Sequence, residues 1–99
     1  YLEAITGRFR GPGLYLLDEA EGPLSFESTL LLLHHLRDLA ATHGTQVVYA
    51  THSPLVAALP GAQILELSDA GIHERSWEDL EAVRLWQAFL RHPRLGFDG

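Results

Sequence analysis

The chain has 99 residues, 46% of them apolar and 20% charged, the balance of a globular chain rather than of a disordered or membrane-spanning one. Its seven basic residues are all Arg and face thirteen acids, a formal charge of −6 that argues against direct nucleic-acid binding. The absence of Cys excludes disulfides and thiol chemistry, and the absence of Lys removes the lysine that a phosphate-binding loop needs.

Residues 1–12 mix apolar and basic side chains before the breaker pair Gly11-Pro12, and read as the tail of a helix that Gly7 or Gly11 ends. Gly13 to Leu17 is an unbroken apolar run between turn residues, the pattern of a strand buried on both faces of a parallel sheet. A polar, turn-rich stretch from Asp18 to Phe26 leads to Ser25, a helix cap with Glu27 in the first turn. The helix is expected to run to about Thr42, with Phe26, Leu30, Leu33, Leu36 and Ala40 on its apolar face and Leu39 beside them. After His43-Gly44, Gln46 to Ala50 is a second strand rich in β-branched and aromatic residues.

Ser53 followed by Pro54 predicts a short helix through Ala58, broken by Pro60-Gly61. Ala62 to Leu67 and Ile72 to Arg75 flank the turn Asp69-Ala70-Gly71 as an edge hairpin. Ser76, with Asp79 three residues on, is expected to cap a last helix whose face is Leu80, Val83, Trp86 and Leu90, with Phe89 beside them, before Pro93 stops it. Alternating strands and helices imply an α/β fold built on an open parallel sheet. The longest purely apolar stretch, Leu55 to Leu59, is far short of the ~20 residues of a membrane span. The first residues have no secretory pattern, and a cytoplasmic location is expected.

The chemistry concentrates at two strand ends. Leu14 to Leu17 delivers Asp18 and Glu19 at the carboxyl end of a strand, where open α/β sheets bind ligands. One such acid can hold hydrated Mg²⁺, and the next can polarise a water that attacks a phosphate. The plainer reading is a pair of acids leaving the sheet for solvent. His52, in Tyr49-Ala50-Thr51-His52-Ser53-Pro54, ends the other strand; neighbouring parallel strands would bring it near Asp18 and Glu19. There an imidazole can contact a γ-phosphate or the attacking water, although a turn histidine needs no such role. His34, His35, His43, His73 and His92 carry no such pattern. Trp77, Trp86 and Phe89 read as core residues of the last helix or as a partner surface.

Leu14–Glu19 resembles a Walker B strand with its catalytic glutamate, and Thr51–Pro54 resembles the switch-histidine loop of ABC-type ATPases. The similarity is to the soluble predicted ATP-binding proteins of the RecF and SMC type. It runs through Leu16–Phe26, Ala50–Pro54 and Leu59–Leu67, from about Phe9 to Pro93. This resemblance implies that residues 1–99 are the C-terminal portion of a single ABC-type nucleotide-binding domain. The implied fold is the three-layer P-loop NTPase sheet without its P-loop strand. An N-terminal half would carry the Walker A loop and the signature motif.

Carried over by motif, Asp18 would support Mg²⁺ through water, Glu19 would act as general base, and His52 would contact the γ-phosphate of ATP. Glu21, Gly22, Pro23, Leu24 and Ser25 would form the D-loop, which meets the partner in a homodimer. Ala20 and Phe26 stand where the family usually has Pro, which changes the stiffness of this loop.

The parent would couple ATP hydrolysis to dimer opening and closing, and these residues alone would be inactive with no nucleotide bound. Without the central strand, unpaired sheet edges would seek a partner. Two other classes remain open: an interaction module that keeps the fold without the chemistry, and a metal-dependent hydrolase or nuclease using Asp18, Glu19 and His52.

Overall fold

A computed structural model describes residues 12–94 and 97, so the helix expected at the start of the chain lies outside the described residues. The chain divides into two compact units, residues 1–60 and residues 61–99.

In the first unit, β1 (Gly13–Asp18) pairs in parallel with β2 (Thr45–Ala50), joined by helix α1 (Phe26–Ala40). The register sets Leu16 opposite Val48, Leu17 opposite Tyr49 and Asp18 opposite Ala50, so both strands end at the same level. Ser25 caps α1 as expected: its backbone is extended and its Oγ accepts from the Ser28 N–H at 3.1 Å. Buried Thr29 is satisfied by donating to the Ser25 carbonyl at 2.8 Å, which removes the cost of burying its hydroxyl. Leu32, Leu36 and Leu39 form the core of this unit, with Tyr15, Leu17, Leu24, Val47, Tyr49 and Leu59 packed against them.

The face that α1 buries matches the expected one in part. Leu33, Leu36 and Leu39 are buried as expected, together with Thr29 and Leu32, whereas Phe26, Leu30 and Ala40 are exposed. The helix carries leucine around most of its circumference, so the sheet selects the face and the periodicity does not. Likewise β1 is covered on one face only. Tyr15 and Leu17 are half-buried, while Leu14 and Leu16 are 61% and 71% exposed. An unbroken apolar run is compatible with two covered faces, but in this unit α1 covers just one.

Ser53 caps α2 (Pro54–Ala57), its Oγ accepting from the Val56 N–H at 3.3 Å, with Pro54 in the first turn where its missing N–H is not needed.

In the second unit, β3 (Leu65–Ser68) and β4 (Gly71–Glu74) form an antiparallel hairpin. Gly71 takes φ +112°, a conformation glycine adopts without strain. The last helix does not start at Ser76. Residues Trp77–Asp79 make a 3₁₀ turn, Leu80 is extended, and α3 (Glu81–Arg91) follows. The Ser76 hydroxyl donates to the Asp79 carboxylate at 2.9 Å and so makes no cap bond to a backbone amide. The Glu66 carboxylate instead accepts from the Glu81 N–H at 2.8 Å and serves the helix terminus from a distant strand. Leu80 and Val83 are buried; Trp86, Phe89 and Leu90, expected on the same face, are exposed, and Trp86 meets Phe89 edge-on at 6.0 Å.

The described residues therefore form a small mixed α/β arrangement with two two-stranded sheets, one parallel and one antiparallel. No described helix is long and apolar enough to cross a membrane.

Candidate functional site

The shared end of β1 and β2 gathers the strand-end residues. Asp18 is the last residue of β1, and the Glu19 N–H extends the ladder by donating to the Ala50 carbonyl at 2.8 Å. Glu19 then adopts φ +49°, the left-handed region that non-glycine residues enter at a cost of roughly 1–2 kcal/mol. This single reversal, closed by the Gly22 N–H donating to the Glu19 carbonyl at 3.0 Å, ends the strand in a tight turn.

The Glu19 carboxylate meets the His52 ring across the tip, with Nδ1 2.8 Å from Oε1. The hydrogen bond to Glu19 raises the His52 pKa, and the charge of Glu19 adds to it. Slight desolvation works against this rise, and the charges of Asp18 and Glu21 reinforce it. The side chains of His52 and Glu19 are 96% and 54% exposed. The pair is open to an incoming molecule, and water screens it too strongly for it to contribute much to folding.

Behind the pair lies a second, less exposed set of contacts. The Tyr49 hydroxyl donates to the Glu21 carboxylate at 2.6 Å and accepts from the Glu21 N–H at 2.9 Å. The Thr51 hydroxyl donates to the other Glu21 oxygen at 3.1 Å and accepts from the Ser53 N–H at 2.9 Å. Of the loop residues 21–25, Glu21 thus turns onto β2 of its own chain. Gly22 and Pro23 form the exposed turn, Leu24 packs against the core, and Ser25 caps α1.

Sequence reasoning placed Asp18, Glu19 and His52 at neighbouring strand ends, and the structure sets Glu19 and His52 in direct contact. It gave no role to Tyr49 or to the Thr51 hydroxyl. The available signal was a tyrosine facing the helix near the end of an apolar strand, since a half-buried phenol usually needs a partner for its hydroxyl. Among the described residues, no three His, Cys, Asp or Glu side chains are grouped to hold a metal ion. In the second unit, Glu66, Arg75, Asp79, Glu81 and Arg84 line a depression, where Arg75 pairs with Glu66 and Arg84 with Asp79. Hydrogen bonds from Ser76 and Arg84 lower the Asp79 pKa, and these mutual contacts suit a structural cluster.

Comparison with family models, with curated proteins and with solved structures finds no significant match to this chain.

Proposed function

We propose that the tip of the parallel pair is the water- and magnesium-handling half of a nucleotide-hydrolysing site of the ABC type. The observation that carries this reading is the 2.8 Å contact between Glu19 and His52 at the ends of adjacent parallel strands. It is supported by the left-handed backbone of Glu19, since strain of this kind tends to persist where function uses it.

In this reading Glu19 polarises the attacking water, and Asp18 holds Mg²⁺ through its water shell. His52, kept more basic by its carboxylate neighbour, presents a hydrogen-bond donor to the γ-phosphate of ATP. Asp18 is exposed at the end of β1, which fits a carboxylate that binds a hydrated ion rather than a bare one. Mg²⁺ would bring positive charge to a corner that holds the carboxylates of Asp18 and Glu19. The chain has neither Lys nor a glycine-rich phosphate loop, so the phosphate-gripping groups come from another segment or subunit. Residues 1–99 alone are then inactive, and the complete domain, its three-layer sheet and its homodimer belong to the same proposal.

The test is ATP turnover by the intact protein carrying these residues, compared with its Glu19→Gln form. The change keeps size and hydrogen bonding but removes the base. The expected result is a loss of roughly 10²-fold or more in kcat with nucleotide binding retained. Undiminished turnover would remove Glu19 from the mechanism. The second class, a module that binds a partner without chemistry, predicts no turnover in either form.

A further inference from the structure

We infer that Glu21 is a positioning residue, clamped by Tyr49 and Thr51 so that the turn between Asp18 and Gly22 aims Glu19 at His52. The inference rests on the proposed role of the Glu19–His52 pair and adds the device that sets its geometry.

The device can be followed bond by bond from the core outward. The Tyr49 ring packs on the Leu32, Leu36 and Leu39 cluster, so its hydroxyl has a fixed origin in the best-packed part of this unit. That hydroxyl grips Glu21 twice, at the carboxylate and at the backbone N–H, which fixes both the side chain and the main chain of the turn. Thr51 takes the remaining carboxylate oxygen. Bonds from a hydroxyl to an ionised carboxylate are among the stronger protein hydrogen bonds, and one of these is only 2.6 Å long.

The clamp touches both members of the pair through the chain. Glu21 is two residues beyond Glu19, and their shared turn is closed by the Gly22 to Glu19 and Leu24 to Glu21 backbone bonds. On the other strand Thr51 precedes His52, and the Thr51 hydroxyl also accepts from the Ser53 N–H that follows it. On each strand the exposed member of the pair has a half-buried residue close by, Glu21 two positions after Glu19 and Thr51 just before His52, and these two are tied together. An exposed ion pair has little energy of its own with which to hold a geometry. Its alignment has to be imposed by the supporting groups, and these are the groups that bridge the two strand tips.

The experiment compares the intact chain with Tyr49→Phe, Thr51→Val and Glu19→Ala forms, of which the first two change no charge. The readout is the His52 ring in long-range ¹H–¹⁵N spectra at alkaline pH, where the imidazole is neutral. There an Nδ1–H donating to a carboxylate differs from a ring exchanging between tautomers. The expected result is a fixed Nδ1–H signature in the unaltered chain. It is lost in Glu19→Ala and reduced towards tautomer exchange in Tyr49→Phe, with a smaller reduction in Thr51→Val, which breaks one bond to Glu21 rather than two. A signature lost in Glu19→Ala but unchanged in both hydroxyl variants overturns the clamp and leaves the pair standing. No Nδ1–H signature in the unaltered chain overturns the pair itself, and the clamp with it. If Tyr49→Phe disturbs the amide spectrum of α1, Thr51→Val, which leaves the core untouched, decides.

Discussion

Glu19 offers a direct test of the turn geometry through two substitutions that remove the same carboxylate. Glu19→Gly and Glu19→Ala both abolish the contact with His52, so the difference between them isolates the backbone at φ +49°. A Cβ in the left-handed region costs roughly 1–2 kcal/mol. Against this, glycine loses more chain entropy on folding than alanine, by roughly 0.5–1 kcal/mol. The net expectation is that the glycine form is more stable by about 0.75 kcal/mol, the midpoint of a difference of roughly 0–1.5 kcal/mol, which is about a three- to fourfold change in the folded-to-unfolded ratio. With a denaturant slope of about 1 kcal/mol per M for a small unit, the urea midpoint of the glycine form should be higher by about 0.75 M. Both tryptophans, Trp77 and Trp86, lie in the second unit, so unfolding of the first is followed through the amide signals of α1 at Leu32, Leu36 and Leu39. An alanine form more stable than the glycine form would mean that Glu19 does not sit in a left-handed turn, and the aim of its side chain would lose its structural basis.

Further outcomes follow from the same geometry. Leu36→Ala removes a side chain that is 1% exposed and should cost roughly 2–5 kcal/mol by urea unfolding of the first unit. Ser25→Ala removes the cap bond to Ser28 and should cost about 1 kcal/mol, read as faster amide exchange in the first turn of α1. His52 should titrate above an ordinary histidine, and Glu19→Gln should lower its midpoint in an NMR titration. Because the folded-state pKa is raised, any stability from this pair is fully present below the ordinary histidine pKa. It fades as pH rises through the folded-state value, and Glu19→Gln removes that slope.

Much of the site's placement was legible because its signals are local. Turn residues bracket β1 and β2, and parallel strands of equal length bring their carboxyl ends to one level, so Asp18, Glu19 and His52 could be assigned to the same corner. The caps at Ser25 and Ser53 were readable for the same reason, each being decided within three residues. What stayed hidden depends on contacts distant in sequence. Glu21 reads as a solvated acid or a dimer-contact residue until Tyr49, 28 positions away, is placed over it. Glu66 gives no sign in the sequence that it will serve the start of α3 and displace the role expected of Ser76. The buried face of α1 is legible only in part, at Leu33, Leu36 and Leu39, for a physical reason of another kind. Leu30, Leu31, Leu32 and Leu33 are consecutive, so apolar character does not choose a side, and the choice fell to the sheet and to Thr29 with its local partner.

In the proposed reading Glu19 and His52 act as one unit in nucleotide hydrolysis. A double-mutant cycle on kcat for ATP in the intact protein measures this, using Glu19→Gln, His52→Ala and the two combined. Groups that work as a unit give losses that do not multiply, so the combined form should be about as slow as the slower single form. Losses that multiply in full would show two residues acting independently and would refute a joint role.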